Sequence, residues 1–378
     1  MGSPTTEDLI KPERILEKMC ECEESVRWKA STQSFEIDTL RWAANTRNQL
    51  RDGSYRSKGF HSFDIVERGK PRHIQSLHIS DRTAQKLVCQ YAIIPQVYPR
   101  LIYDNSASQK GKGTDFALKR LREHLRWHLA RYGKRGTIIV MDYHAYFDSI
   151  PHDGLNQCLT KGIEDPLVIR YITDSINSYE GTRGIGLGSE ISQSGAVSYP
   201  TPIDKYVKET CKIHCYGRYN DDSYIIHPNR EYALHCLDGI RRKAEELGIE
   251  IHEEKTKVHN LATDDFEYLK KRIHITETGK IIFRITRKNI LREENRIRTQ
   301  AEEYQAGRIP LRTVLQSYQC WRSYAQKCQC YDAVRNMDRY FTSVFWDAIR
   351  QETGGATVRY GHPTRIRKEN EYEQASGY

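Results

Sequence analysis

The chain has 378 residues, and its 59 lysines and arginines exceed its 50 aspartates and glutamates to give a formal net charge of +9. This length suffices for one large hydrophobic core or two to three smaller ones, and the charge is compatible with a polyanionic partner. The sequence contains no run of about 18 apolar residues, which excludes a membrane-spanning helix.

The first residues are polar and charged, so no export signal is predicted and we expect a cytoplasmic protein. Its ten cysteines should then be reduced thiols. The C-x-C pairs Cys20/Cys22 and Cys328/Cys330 lack C-x₂-C spacing and could bind zinc only if they met in space. The pattern leaves open whether they bind a metal.

Apolar periodicity predicts helical ends around a middle that is rich in strands. Helices are predicted at 7–52, 81–94, 116–129, 152–160, 166–178, 192–210, 231–247 and 288–350. Strands are predicted at 62–66, 72–77, 137–141, 215–219, 223–226, 266–269 and 281–285. Pro200 and Pro202 should kink the helix that contains them. The order of elements predicts an α+β fold, with a mixed sheet and helices on one of its faces.

Two adjacent carboxylates, Asp221 and Asp222, lie at the bend between two predicted strands. Like charges side by side are relieved by a divalent cation, and oxygen ligands suit Mg²⁺. Such a pair alone is more often a solvated turn, and Asp142, which follows the strand at 137–141, could equally be a helix cap. Together, however, three carboxylates on neighbouring strands can bind two Mg²⁺ ions, which clamp the attacking and leaving oxygens of a phosphoryl transfer.

Six sequence blocks, in this order, resemble those of reverse transcriptases from bacterial retroelements. The blocks are KPRHIQSLHISDRTAQKLV, IVMDYHAYFDSIPHDGL, GIGLGSEISQSGA, RYNDDSYIIH, LGIEIHEEKTKV and FEYLKKRIHIT. The resemblance implies a right-hand polymerase fold of the α+β class, with fingers, a palm of antiparallel sheet plus helices, and a helical thumb. The implied domains are an N-terminal helical segment (1–52), fingers (53–135), a first part of the palm (136–160), an insertion with the glycine-rich block (161–195), a second part of the palm (196–280), a thumb (281–350) and a mobile polar tail (351–378).

The resemblance also implies an RNA-directed DNA polymerase that uses two Mg²⁺ ions, with Mn²⁺ as a substitute, to extend a DNA or RNA primer with dNTPs on an RNA template. By matched position, the catalytic metal ligands would be Asp142, Asp221 and Asp222. The nucleotide-binding residues would be Arg72, Phe147, Gly188, Gln193 and Lys255. The residues at template and primer would be Ser192, Tyr219, Asn220, Arg292 and Arg296. Read alone, Phe147 could be a core aromatic, Lys255 a solvated charge and the thumb arginines a solvated helix face.

Three positions depart from the commonest family pattern. Leu187-Gly188-x₃-Ser192-Gln193 stands where many members have Q-G-x₃-S-P, and it resembles the variant of diversity-generating retroelements. Those enzymes copy a template RNA with frequent errors at adenines, usually with a small basic accessory protein. Asn220 replaces a more usual alanine or methionine, and Lys270 replaces a usual glycine.

Two other functions stay open at this point. One is an antiviral reverse transcriptase that copies a dedicated non-coding RNA or extends DNA without a template. The other is a catalytically inactive RNA-binding scaffold on the same fold, although the presence of all three aspartates argues against it.

Overall fold

The chain folds into two units that divide after Leu261. The computed structural model describes residues 2–24, 26–67, 69–328 and 330–352. Most of the predicted tail, from residue 353 onward, therefore lies outside the described residues. Each unit has a hydrophobic core of its own, built from residues between Leu9 and Ile251 in the first and between Ile285 and Ile349 in the second.

The first unit contains thirteen α-helices and six strands among its described residues. The helices are α1 (Thr6–Leu9), α2 (Pro12–Glu23), α3 (Ala30–Ile37), α4 (Thr39–Asp52), α5 (Ile79–Val88), α6 (Ile94–Val97), α7 (Thr114–Tyr132), α8 (Tyr146–Ser149), α9 (His152–Thr160), α10 (Pro166–Asn177), α11 (Glu190–Ser198), α12 (Thr201–Lys205) and α13 (Arg230–Glu246). Turns of π-helix at Cys89–Ile93 and Tyr206–Thr210 follow α5 and α12, and a 3₁₀ turn at Tyr98–Arg100 follows α6. The strands are β1 (Phe60–Glu67), β2 (Lys70–Leu77), β3 (Thr137–Met141), β4 (Cys215–Tyr219), β5 (Asp222–His227) and β6 (Lys257–Asn260).

Strand β3 lies inside a four-stranded sheet with the order β4-β5-β3-β6. Its sequence TIIVM is rich in β-branched residues that suit a strand buried on both faces. Every pairing in this sheet is antiparallel, which confirms the sheet that the resemblance implies, whereas the mixed sheet predicted from the order of elements was wrong. Strand β6 was not predicted, because the polar sequence KVHN at the sheet edge shows no clear alternation.

Helices cover both faces of this sheet, and the prediction of helices on one face was also wrong. The hydroxyl of Tyr224 lies 2.8 Å from Nδ1 of His124 in α7. Ile225 points to the opposite face, because successive side chains of a strand alternate, and it shares the main core with Leu237 of α13. The sequence pattern does not show whether helices cover one face of the sheet or both, since an apolar strand is compatible with either arrangement.

The helix predicted at 192–210 is interrupted. Proline has no backbone N–H, so Pro200 and Pro202 cannot donate the hydrogen bonds that would join α11 to α12. The predicted kink is therefore confirmed, and it is a full break between Ser198 and Thr201.

The second unit contains a three-stranded antiparallel sheet and three long helices among its described residues. These elements are β7 (Phe266–Tyr268), β8 (Lys271–Ile275), β9 (Ile281–Ile285), α14 (Arg287–Gln305), α15 (Leu311–Lys327) and α16 (Tyr331–Glu352). The segment that resembles the family's last palm strand forms β7 and β8 here, in a sheet separate from that of β3. Tyr318 of α15 stacks on Phe341 of α16 with ring centroids 4.0 Å apart, at the centre of the core.

All ten cysteines are free thiols in this structure. Over the described ranges, no three histidine, cysteine, aspartate or glutamate side chains are grouped closely enough to hold a metal ion, and this includes the two C-x-C pairs. A search of the same ranges finds no helix with the length and apolar character needed to cross a membrane.

Candidate active site

Two neighbouring strands bring the three predicted aspartates to the same end of the sheet. Strand β3 ends at Met141, which pairs with Ser223 of β5, so the next residue, Asp142, lies opposite Asp222. Strands β4 and β5 are joined by a two-residue turn, Asn220-Asp221, between the paired residues Tyr219 and Asp222. The three carboxylates therefore lie at one end of the ladder, although over the described residues their side chains are not grouped closely enough to hold a metal ion as a set of three.

The turn explains why asparagine is suitable at position 220. Asn220 has φ of +52°, in the left-handed region. Residues of two-residue hairpin turns often adopt this region, and asparagine tolerates it better than most residues with a side chain. The departure from the commoner alanine or methionine is thus consistent with a tight hairpin at this point.

The segment after α13 places Lys255 against Asp142. The backbone N–H of His252 donates to the carbonyl of Asp142 at 2.8 Å, which fixes this segment beside the end of β3. The ammonium of Lys255 then donates to both carboxylate oxygens of Asp142, at 3.1 and 3.0 Å. The Asp142 side chain is 17% exposed, so this ion pair is partly shielded from water.

Asp221 lies in an environment that disfavours its negative charge. Burial raises the pKa of its carboxyl group, and the nearby charge of Asp142 raises it further. The positive charges of Lys255 and Arg72 act in the opposite direction. Two carboxylates and two basic side chains are thus close enough to influence one another, which makes this end of the sheet a candidate site.

The donor set fits a divalent cation of the kind that the resemblance implies. The negative charges of Asp142 and Asp221 destabilise each other. The carboxylate of Asp142 already binds one cation, the ammonium of Lys255. Carboxylate oxygens are suitable ligands for Mg²⁺ and Mn²⁺. Asp142 and Asp221 would hold the metal, and Asp222 lies beside them at the start of β5. Their roles as ligands stay a prediction.

The glycine-rich block lies beside the strand that carries Arg72. The N–H of Gln75 in β2 donates to the carbonyl of Leu187 at 3.2 Å. Gly188 has φ of +118°, and a Cβ atom there would lie 3.2 Å from the carbonyl oxygen of Gln75. Any larger residue would be strained in this conformation and crowded against β2. Arg72 is exposed, three residues before Gln75.

A backbone hydrogen bond connects Phe147 to the same glycine-rich block. The N–H of Ile185 donates to the carbonyl of Phe147 at 2.8 Å, and the Phe147 ring lies 5.7 Å from the ring of Tyr146. The side chain is only partly buried at the edge of the main core. The geometry thus leaves part of the ring accessible, as a contact with a bound sugar requires.

Ser192 and Gln193 are adjacent in α11 but differ in exposure. Ser192 is 1% exposed, and its hydroxyl lies 3.0 Å from that of Tyr179. Gln193 is exposed on the first turns of the helix, which the side chain of Ser189 caps. Ser192 would therefore affect a template only through the position of α11, whereas Gln193 could contact a ligand directly.

The two predicted thumb arginines lie in α14 of the second unit. Arg296 donates to Glu293 at 2.7 Å and to the carbonyl of Ser317 at 3.0 Å. Glu293 is only 4% exposed, so Arg296 supplies the positive charge that compensates a buried carboxylate. Arg292 is half-exposed on the same helix. Contact of either residue with template or primer stays a prediction.

Sequence reasoning missed a buried ion pair beneath the turn. Arg218 of β4 and Asp204 of α12 are both fully buried, with Nη2 of Arg218 2.7 Å from Oδ2 of Asp204. Strand alternation was the available signal, because it places Arg218 on the same face as the apolar Tyr216. The partner could not be inferred, since it lies 14 residues earlier in the chain and on a different element.

The fold belongs to the right-hand polymerase class. The family model for "Reverse transcriptase (RNA-dependent DNA polymerase)" matches residues 57–273, more than half of the chain. The chain therefore belongs to the reverse transcriptase family, and the predicted polymerase fold is confirmed. Nucleic-acid template and primer and a divalent metal are general requirements of this family.

Solved structures also match the chain. One is apo telomerase from Candida tropicalis truncated from its C-terminal domain, at 14% sequence identity and a TM-score of 0.43. The match covers 59% of this chain and 54% of the telomerase chain, so the chain spans about half the length of that protein. A comparison with curated proteins gives no match.

Proposed function

We propose that this protein is an RNA-directed DNA polymerase that extends a primer with dNTPs on an RNA template. The observation that carries the proposal is the meeting of Asp142 and Asp221 at the end of two adjacent strands, close to the charges of Lys255 and Arg72. This combination suits a triphosphate substrate, because carboxylates hold the metal and basic side chains neutralise the phosphates.

Each side chain of the site has a separate task in this reaction. Asp142 and Asp221 would hold two divalent metal ions, and the chemistry that such ions would supply when bound is activation of the primer 3′-hydroxyl and stabilisation of the departing pyrophosphate. Arg72 binds triphosphate oxygens through its planar guanidinium. In this reaction the ammonium of Lys255 leaves the carboxylate of Asp142 and binds the phosphates of the incoming nucleotide. Phe147 contacts the sugar and excludes a ribose 2′-hydroxyl.

The test is dNTP incorporation by the purified full chain on an RNA template with a DNA primer, in Mg²⁺ and separately in Mn²⁺. Asp221→Asn should lower incorporation by about a thousandfold or more, because a neutral amide is a poor metal ligand, while RNA binding is nearly retained. Asp153→Asn, which changes an exposed carboxylate in α9, is the matched control and should be fully active.

Two results would contradict the proposal. Wild-type incorporation that is absent even with the RNA that copurifies with the protein would favour the inactive scaffold. Full activity of Asp221→Asn would remove the metal role of the hairpin.

The finer proposal is that the enzyme serves a diversity-generating retroelement, because it has the Leu187-Gly188-x₃-Ser192-Gln193 block of that group. The exposure of Gln193 beside the glycine block supports it. Sequenced cDNA copies should carry errors concentrated at template adenines, and Gln193→Ala should change that error spectrum while primer extension persists. A small basic accessory protein would be its partner.

Errors spread evenly over the four template bases would contradict this role. Synthesis that needs one dedicated non-coding RNA, or that proceeds without any template, would instead identify the antiviral type.

A further inference from the structure

The ion pair of Arg218 and Asp204 is fully removed from solvent, as both side chains are 0% exposed. Burial of a guanidinium is unfavourable unless its N–H groups find acceptors. Nε donates to Oδ1 of Asp204 at 2.8 Å, and Nη2 donates to Oδ2 at 2.7 Å. The hydroxyl of Tyr216 donates to Oδ1 of the same carboxylate at 2.5 Å. The buried guanidinium of Arg218 is thus held in one orientation by a bidentate contact with Asp204.

The helix break at Pro200 supplies acceptors beside this pair. Because Pro200 has no N–H, the carbonyl of Ala196, four residues earlier, receives no bond from it. The hydroxyl of Tyr146 donates to that carbonyl at 2.6 Å. The next carbonyl, that of Val197, accepts from Nη2 of Arg218 at 2.8 Å. The end of α11 therefore binds side chains from β4 and from α8.

The same guanidinium reaches the catalytic hairpin. Nη1 of Arg218 donates to the carbonyl of Asn220 at 3.1 Å. That carbonyl belongs to the peptide group between Asn220 and Asp221. The contact therefore restrains the orientation of this peptide group, and with it the backbone at Asp221. Asn220 is the residue with positive φ, and a backbone in that region persists where the surroundings hold it. One side chain thus connects α11, α12 and the turn that presents the carboxylate.

We infer that Arg218, through its contacts with Asp204, the carbonyl of Val197 and the carbonyl of Asn220, is a positioning residue that holds the Asp221 carboxylate in its metal-binding orientation. This inference rests on the proposed function, because it assigns a purpose to the orientation of Asp221. Arg218 touches neither nucleotide nor metal in this role. Lysine cannot replace it, since a single ammonium lacks the planar fork that contacts Asp204, Val197 and Asn220 together.

The test is the double variant Arg218→Met/Asp204→Asn. Removal of both charges avoids an unpaired buried ion, and the amide oxygen introduced in place of the carboxylate keeps an acceptor for Tyr216. The first readout is hydrogen exchange of the full chain, in which the amides of 220–223 should exchange about tenfold faster or more. The second is Mn²⁺ binding, which should weaken about 10-fold to 100-fold, as when a residue supporting a metal ligand is lost.

The second unit offers a matched control with the same chemistry. There Arg322 and Tyr318 both donate to the buried carboxylate of Asp338, at 2.9 and 2.5 Å. Arg322→Met/Asp338→Asn removes an equivalent ion pair and should leave Mn²⁺ affinity and the exchange of 220–223 at wild-type values. Arg218→Lys, which keeps the charge, should show the same two changes as the double variant and decides the question if that variant does not fold.

Activity gives a third readout that separates this inference from the proposed function. In the active enzyme, the variant should lower kcat and raise the Mg²⁺ concentration for half-maximal rate, with a smaller change in KM for dNTP. Wild-type Mn²⁺ affinity and hairpin exchange in the folded variant would overturn the inference, whatever the activity. A wild-type protein without polymerase activity would overturn the proposed function, while the exchange and Mn²⁺ results still decide whether Arg218 orients Asp221.

Discussion

The side chain of Phe147 determines, in our proposal, which sugar the site accepts. Its ring is partly exposed, and its backbone is held by Ile185 of the glycine block, so the ring cannot easily move aside. A rigid aromatic ring discriminates between sugars by contact, whereas a small side chain leaves room for an additional oxygen.

Phe147→Ala should therefore increase incorporation of ribonucleotides relative to dNTPs by roughly 10-fold to 100-fold. The measurement is the ratio of kcat/KM for a dNTP and its rNTP in primer extension. Phe116→Ala, at a half-buried position in α7, is the matched control and should leave the ratio unchanged. An unchanged ratio in Phe147→Ala would remove the sugar contact from the proposal.

The backbone conformation at Lys270 explains why glycine is usual at this position. It follows Leu269 in the two-residue turn between the paired residues Tyr268 and Lys271, and both turn residues have positive φ, 46° and 63°. A non-glycine residue in this region is destabilised by about 1 kcal/mol, and glycine is not.

We predict that Lys270→Gly is more stable to unfolding than Lys270→Ala by about 1 kcal/mol. Both variants lose the same lysine side chain and its contacts, so the difference isolates the backbone conformation. The free energies come from chemical denaturation followed by circular dichroism. Equal midpoints for the two variants would show that the turn is not strained.

Helix α14 carries two arginines, Arg292 and Arg296, that differ in their contacts. Between residues 281 and 300 the sequence has six basic residues against two glutamates, which suggests an interface with phosphates. Both Arg292 and Arg296 are partly exposed, but Arg296 is also paired with the buried Glu293. The two arginines should therefore differ in the effect of their removal.

Arg292→Ala should weaken template–primer binding and reduce the slope of log affinity against log salt by about 1, with little loss of stability. Arg296→Ala should instead lower the free energy of unfolding by about 3 kcal/mol, since it leaves Glu293 buried without its partner. Affinity by fluorescence anisotropy and stability by denaturation separate the two effects. Loss of stability in Arg292→Ala, or its absence in Arg296→Ala, would contradict this assignment.

At the scale of the element, the sequence was most informative where local patterning is strong. Strand β3 has the predicted bounds, because TIIVM is apolar throughout and is bounded by Gly136 and Asp142. Strands β6 and β8 were missed, since KVHN and KRIHI mix charge with apolar residues and acquire strand structure from their neighbours.

Over the whole molecule, the net charge of +9 should make nucleic-acid binding sensitive to salt. Each phosphate neutralised releases condensed counterions, so dissociation constants rise steeply as salt is added. The charge is a property of the whole chain, because basic residues are found in the first unit as well as in α14 of the second.

Binding of a template–primer duplex should weaken by about 100-fold or more between roughly 50 and 200 mM salt, the range in which several phosphate contacts are lost. Titrations across this range measure the slope, and Asp221→Asn should have the same slope as the wild type because it removes no cation. Binding that is insensitive to salt would argue against a phosphate-dominated interface.

The sequence alone predicted most of the elements, the three aspartates on adjacent strands, the glycine block and the helices between residues 288 and 350. It could do so because periodicity, turn chemistry and motif spacing act between near neighbours in the chain. The tertiary structure was needed to show that helices cover both faces of the sheet that contains β3, and that β7 and β8 form a separate sheet. It alone revealed that Arg218 is buried with Asp204 beneath the turn of Asp221. Strand partners and buried ion pairs are decided by residues far apart in sequence, whose contacts arise only when the chain packs.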